Sequence, residues 1–549
     1  MVGAKNRVVL IVTIPNDILR ILRMPDATND PPAADWQSLA RRGCTMQLRP
    51  IQRRALDTIA RYGGLLAPIG VGHGKTLITL LAAWAIGIYT RRLVRPLLLV
   101  PGGLVDKTNR DKEAYGRQYR IHPITVASYD RLSRASGTGL LERLRPTTII
   151  CDECHKLRAR ASVRTRRLSR YLHANPSTVF VGLSGTITAR SILDYAHLAV
   201  WALGYNTPQP LEWTWLESWA NVIDPGKPYS RSDMSAVYPL VRHYRQRPRQ
   251  AYAQRLVTTP GVVSTDSDSI GCSLVIHHIE DMEVPGSITK AFAHLDAAWE
   301  LPGGEAMFDN APQLAEAKRC VVQGFYYVWE WSECEPDWGW IDARRDWWAS
   351  LRRYLPTARS GCDSPALVET ALLRGDTLRG RYSRAVIDAW AAWQHQRHKR
   401  PPPVRTQWID DYLIRAVVKR AEAVGDPVLI WYKHRAVAQE LRAASVPPYT
   451  PDRVATCAAS IEAHGTGLNL QKWNHSIVLC PPSSGSKWQQ LLGRTHRQGQ
   501  AADTVKYEVY THADPYKEAM RKAKETSEYL RDTQQQRQKL LYATHTRGN

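Results

Sequence analysis

The sequence predicts an α/β protein in which two parallel sheets, each wrapped by helices, are separated by a largely helical, Trp-rich stretch. Three observations predict it. Short apolar runs alternate with helical patterns from about residue 48 to 204, and the same alternation returns after residue 405. Between them it is lost, and segments such as FYYVWEWSECEPDWGWIDARRDWWASLRRYL carry tryptophans among mixed charges at helical spacings.

At 549 residues the chain exceeds one ordinary core, so two to four domains are expected. Lys and Arg total 74 against 51 Asp and Glu, a net charge of +23 that suits a polyanionic partner, nucleic acid ahead of a membrane surface. There is no apolar run of membrane-spanning length, and the start MVGAKNRVVLIVTIPND lacks a signal-peptide cleavage pattern. Nine scattered cysteines argue against a disulfide framework and for a reducing compartment, so a cytoplasmic location is expected.

In chain order, residues 1–47 read as a small βα extension, with a strand in RVVLIVTI and a short helix opened by Asn16 and Asp17. Residues 48–204 form the first α/β domain, with strands in GLLAPIG, PLLLVPG, ITVASY, TTIICDE and TVFVGLSG. Each of these ends in small or polar residues, where ligands of parallel sheets gather. Residues 205–404 are the helical accessory region, closed by the stiff KRPPPVR at 399–405. Residues 405–515 form the second α/β domain: a helix over QWIDDYLIRAVVKRAEAV, then strands in PVLIWYKH, VATCAAS, SIVLCPP and VKYEVYTH. Residues 516–549 read as a charged helical tail.

Three short motifs carry chemistry. PIGVGHGKTL, residues 68–77, follows a strand and opens a helix. Gly70, Gly72 and Gly74 let backbone N–H groups turn inward, Lys75 can reach outer phosphates, and Thr76 can ligate Mg2+. Ile69 stands where the full GxxxxGK[ST] form has glycine, and a purely structural glycine turn is the competing reading. In TTIICDECHKL, Asp152 is the candidate metal carboxylate and Glu153 the group that orients or deprotonates water. Cys151 and Cys154 have zinc-knuckle spacing, but no second pair completes four ligands, so zinc is not expected. In LLGRTHRQGQ, Arg494 and Arg497 would share a face if helical and could aim two guanidinium forks at a phosphate; the competing reading is a solvated basic face.

These motifs, with others in the same order, resemble those of superfamily 2 helicases and translocases, in particular their DEAH-box-type, Swi/Snf-like branch of phage type. LRPIQ resembles the Q motif, GHGKT motif I, LLLVPGGLV motif Ia, DECH the DEAH box with Cys154 in place of alanine, and GLSGT the coupling motif. VLIWYKH resembles motif IV, EAHGTGLNL motif V, and QQLLGRTHRQGQ the last motif, QxxGRxxRxGQ. The resemblance covers roughly residues 48–204 and 405–515. It implies two RecA-like domains and an ATP hydrolase with ATP and Mg2+ as cofactors. By the same resemblance Gln52, Gly72, His73, Gly74, Lys75, Thr76, Gly467 and Gln490 hold the nucleotide, with Gln52 on the base; Arg494 and Arg497 are arginine fingers; and His155, Ser184, Gly185 and Thr186 couple the site to nucleic acid. Ser128, Tyr129, His464, Gly465 and Thr466 are the implied nucleic-acid contacts, with Asn469 also at a matching place.

The expected activity is ATP-driven translocation on DNA, more than RNA and duplex in particular. A strand-separating helicase of replication, recombination or repair, and an ATP-switched scaffold that does not hydrolyse, stay open beside it. A protein partner such as a nuclease or recombination factor is left open, as is a phage gene product acting in a bacterial host. Two basic runs, HKLRARASVRTRRLSR and RHYRQRPRQAYAQR (242–255), are candidates for DNA backbone contact or plain solvated faces. The tryptophans between 329 and 348 suit core packing ahead of base stacking.

Overall fold

The computed structural model of the protein describes residues 14–27, 32–70, 72–188, 190–265, 271–302, 311–331, 336–358, 362–465 and 468–547. It is α/β, with two all-parallel sheets and one short antiparallel ribbon. The strand expected in RVVLIVTI lies almost wholly outside the described residues; the helix after it spans Asn16–Arg23.

The first sheet contains β1 (Leu65–Pro68), β2 (Pro96–Val100), β3 (Thr125–Ser128), β4 (Thr148–Asp152) and β5 (Val179–Ser184), in the order β1-β5-β4-β2-β3. These are the five apolar runs read from the sequence. β1, β2 and β5 are buried along their whole length, because helices cover both faces and only continuous apolar side chains fit there. The order places the end of β5 between the ends of β1 and β4, so the glycine-rich loop, Ser184 and the Asp152-Glu153 pair emerge side by side.

This lobe does not stop at residue 204 as expected. Helices Trp213–Ile223, Arg231–Tyr244 and Pro248–Val257 bury Trp219, Val237, Leu240, Tyr252 and Leu256 in the same core as Phe180, Ile18 and Ile21. The chain then runs along the open side of β1: Leu66 N donates to Gly261 O, Val263 N to Leu66 O and Thr265 N to Pro68 O. An exposed strand edge is thereby covered.

The second sheet begins earlier than the sequence suggests, with β6 (Ser273–Ile279). After it come an antiparallel ribbon of β7 (Phe325–Trp329) and β8 (Val404–Trp408), then β9 (Val428–Tyr432), β10 (Cys457–Ser460), β11 (His475–Val478), β12 (Thr504–Tyr510) and β13 (Thr544–Arg547). The order is β10-β9-β11-β12-β6-β13. β6 therefore belongs to the second lobe and not to the accessory region. The tail is not helical throughout either, since helix Asp514–Gln534 is followed by a turn of helix at Lys539–Tyr542 and by β13 along β6. Gln407 and Trp408, expected in a helix, close β8, and the helix spans Tyr412–Val424, its first N–H held by Asp410 Oδ1 at 2.8 Å.

The Trp-rich helices hang from the β7–β8 ribbon. Trp338–Tyr354, Pro365–Leu373 and Ser383–Gln396 enclose a small core of Trp347, Leu351, Tyr354, Val368, Val386 and Trp390. Trp340 is buried too, whereas Trp338 and Trp348 are exposed, so most of these rings are packing elements. The unit is latched to the first lobe through Asp363. This carboxylate, 1 % exposed, receives Arg167 at 2.7 and 3.2 Å and also Arg170, while Arg166 donates to its backbone carbonyl at 2.9 Å. Part of the first basic run is thus spent inside the protein. No helix among the described residues is long and apolar enough to cross a membrane.

Candidate active site

The loop after β1 is built to turn backbone toward a ligand. Gly72 and Gly74 adopt φ of 96° and 74°, left-handed conformations that favour glycine, and a Cβ on Gly74 would also displace the Gln52 amide, 2.3 Å away. Helix Lys75–Thr90 begins immediately after, without a side-chain cap, leaving its first N–H groups directed at the loop. Thr76 lies half-buried in that first turn, and His73 lies half-buried in the loop.

Several side chains hold this loop from outside. Gln52 is 4 % exposed; its Oε1 accepts from Arg49 N at 2.8 Å and its Nε2 donates to Gly74 O at 3.1 Å. Gln52 thus braces the loop and caps helix Pro50–Tyr62, and each end of its amide keeps a second hydrogen-bonding position. Arg49 donates to Gly72 O at 2.7 Å, and Thr265 Oγ1 accepts from Gly70 N at 3.2 Å.

Lys75 Nζ lies 3.0 Å from Ile69 O, 3.2 Å from Gly70 O and 4.0 Å from Glu153 Oε1. Glu153 sits at φ 56°, a left-handed conformation that costs a non-glycine residue about 1 kcal/mol or more and that throws its carboxylate across the sheet end. Ser184 Oγ is within hydrogen-bond reach of Glu153 Oε2 (3.2 Å), His155 Nδ1 (2.9 Å) and Thr186 O (2.7 Å), and His155 Nδ1 is 3.2 Å from Glu153 Oε2. The structure thus joins His155, Ser184 and Thr186 into one network around Glu153, with Gly185 lining the adjoining cavity.

Electrostatics separate the two acids. Burial pushes the Glu153 carboxyl up, but Lys75, His155 and Arg494 outweigh it and hold the group well below the usual carboxylate range. Asp152 is pushed up, by burial first and by Glu153 second. Its Oδ1 is buried and has no hydrogen-bond partner among the described residues. An orphaned carboxylate oxygen near a glycine-rich loop that leads into Thr76 fits a hard cation, which takes oxygen ligands and needs only one or two from protein when other ligands and water supply the rest. Groups of three or more His, Cys, Asp or Glu suited to a metal are absent among the described residues, so Thr76 with Asp152 is the candidate set.

Arg494 comes from the second lobe and is 7 % exposed. Nε donates to Gly465 O and one terminal nitrogen to Leu468 O, both at 3.0 Å. Burial lowers its pKa to about 10, against which Glu153 of the first lobe acts to keep the charge. Arg497 is not on the same helical face as expected, because helix Gly485–Thr495 ends two residues before it. It remains near Arg494, and its charge is opposed by burial first and by Arg49 of the first lobe second. Gln490 lies half-buried one turn ahead of Arg494.

The expected nucleic-acid contacts are less uniform. Tyr129 is 1 % exposed and donates to Asp152 O at 2.8 Å, so it supports the acidic strand end and offers no outer surface. Ser128 caps helix Tyr129–Ser133 by accepting from Arg131 N at 3.1 Å. His464 Nδ1 accepts from Ser460 N at 3.0 Å, and Gly465 serves as the Arg494 anchor. Thr466 and Gly467 lie outside the described residues.

No family model matches the chain, and no curated protein matches it.

Proposed function

We propose that the protein is an ATP-driven motor on nucleic acid, a DNA translocase of superfamily 2 type whose two sheets are RecA-like domains. The single observation that carries this reading is that the Glu153 carboxylate at the end of β4 lies 4.0 Å from Lys75 of the glycine-rich loop and also feels the charge of Arg494 from the opposite lobe. A switch protein that only binds nucleotide has no use for a half-buried carboxylate kept ionised by a cation from each lobe.

Lys75 and the loop N–H groups bind and orient the phosphates. Glu153, held as carboxylate, orients water and takes its proton. Arg494 and Arg497 offset charge that develops on the transferred phosphoryl group, so hydrolysis waits on the two lobes being together. Thr76 and Asp152 would hold Mg2+, which supplies charge neutralisation at the phosphates when bound. His155 and Ser184 transmit the state of Glu153 to the Thr186 segment. The net charge of +23 favours a phosphate-backbone track for movement.

The test is ATP turnover measured with single-stranded DNA, duplex DNA, forked DNA and RNA at fixed salt, alongside strand displacement. Stimulation greatest with duplex supports the reading; absence of turnover with every nucleic acid ends it.

A further inference from the structure

The end of helix Asp514–Gln534 and the segment after it carry the polar run TQQQRQK, residues 533–539, in which Thr533, Gln534, Gln536, Gln538 and Lys539 are all at most 3 % exposed. Burying so many amides is costly unless they are positioned to bond. Gln536 Nε2 donates to Pro68 O at 2.7 Å, the residue that closes β1 and starts the phosphate loop. Three residues on, Lys539 N donates to Gln489 Oε1 at 2.6 Å, on the helix that carries Arg494. Lys539 Nζ also lies 3.3 Å from His496 Nδ1, between the two arginines. Gln536 and Gln538 line one small cavity with Gly70, His73, Gly185 and Gln489.

Three residues of extended chain span at most about 11 Å. The segment therefore grips the phosphate loop with one hand and the arginine helix with the other, across a covalent distance too short to stretch. Upstream, Tyr529 OH donates to buried Asp224 Oδ1 at 2.9 Å, so the preceding helix is itself moored to the first lobe. Downstream, β13 is moored to the second sheet.

We infer that Gln536 and Lys539 form a positioning strap that holds the phosphate loop and the arginine helix in hydrolytic register, making the tail a working part of the site. Its catalytic consequence rests on the ATPase reading above; its mechanical consequence does not. Lobe opening must break the Gln536–Pro68 bond or the Lys539–Gln489 bond. Either one released is the whole strap released.

The experiment compares full-length wild type with Gln536→Ala, Gln489→Ala and the double variant, by hydrogen exchange without nucleotide and by ATP turnover with and without duplex DNA. The expected exchange result is loss of protection in both 69–77 and 485–495 in each single variant, although each substitution touches only one lobe. Turnover without DNA should fall about fivefold or more while the Kd of a fluorescent ATP analogue changes less than about twofold, and the double variant should be no worse than either single one. Exchange changes confined to the substituted lobe, or losses that add in the double variant, overturn the strap. If wild type shows no turnover at all, the functional reading fails while the exchange result still decides the strap. Should Gln536→Ala not fold, Gln489→Ala read at the remote phosphate loop gives the same decision.

Discussion

Lys75 Nζ stands 4.0 Å from Glu153 Oε1, close enough to help keep the half-buried carboxylate charged. The pair links the loop after β1 to the end of β4 across the intervening β5, and it is the centre from which the roles of the neighbouring groups follow.

Glu153→Gln keeps the shape and removes the proton acceptor. ATP turnover should fall by about 10²–10⁴-fold with nucleotide affinity nearly unchanged. Lys75→Ala should instead lose affinity as well as turnover. Steady-state kinetics paired with equilibrium binding of an ATP analogue distinguish the two, and hydrolysis unchanged in both variants would remove the motor reading.

Arg494→Ala should lower turnover by about 10²–10³-fold, the usual scale for one preorganised group that meets developing charge. The same change frees the carbonyls of Gly465 and Leu468, so a small loss of stability should accompany it. Arg494→Lys keeps charge without the fork and should recover little. Turnover within twofold of wild type in Arg494→Ala would show that the arginine serves only to hold the segment after helix Ile461–His464.

Asp363→Ala leaves Arg167 buried, with the carbonyls of Leu132 and Arg134 still bonded but no counter-charge. Removing one partner of a buried pair costs about 3–5 kcal/mol. The expected outcome is release of the Trp-rich unit from the first lobe, seen as faster proteolysis within 338–396 while both sheets persist. Unaltered proteolysis would mean that the latch carries no load.

A pH response is expected where β13 joins β6. His545 Nε2 lies 2.8 Å from Leu540 O and so carries its proton, leaving Nδ1 to accept from His278 Nε2 at 2.9 Å. Burial first, then His545, Lys524, Arg547 and His277, lower the His278 pKa to about 4. Because the folded state binds fewer protons than the unfolded state between that value and about 6.5, stability rises with pH across this window and is lost as pH falls through it. Exchange protection of 544–547 should therefore decline from pH 7 to pH 4.5, and His278→Gln should flatten the decline. Protection independent of pH in the native protein would contradict the assignment.

Much of this architecture was legible because buried parallel strands must be apolar throughout. PLLLV and VLIWY declare themselves locally. β6 was not legible, since SLVIHHI interleaves histidines with its apolar residues and its partner β12 lies far along the chain. β13 is shorter and more polar still. The same division holds at the site. Lys75 and Glu153 stand in motifs whose meaning is local, whereas the bonds from Arg49, Thr265 and Gln536 to the loop close over 23, 195 and 468 residues. A run of glutamines looks like linker until its destination is known. Tyr129 was misread for the converse reason: its motif places it near a strand end, but only packing shows that the ring points inward.

The place of β6 inside the second sheet also bears on biosynthesis. Its pairing partner β12 is made roughly two hundred residues later, and β13 is made last of all. At about 5–20 residues per second the ribosome leaves an adhesive edge waiting for on the order of tens of seconds. Nascent chains stalled before residue 504 should accordingly recruit chaperones or clump, while the amino-terminal lobe, short only of the mooring helix that contributes Tyr529, is already able to collapse on its own.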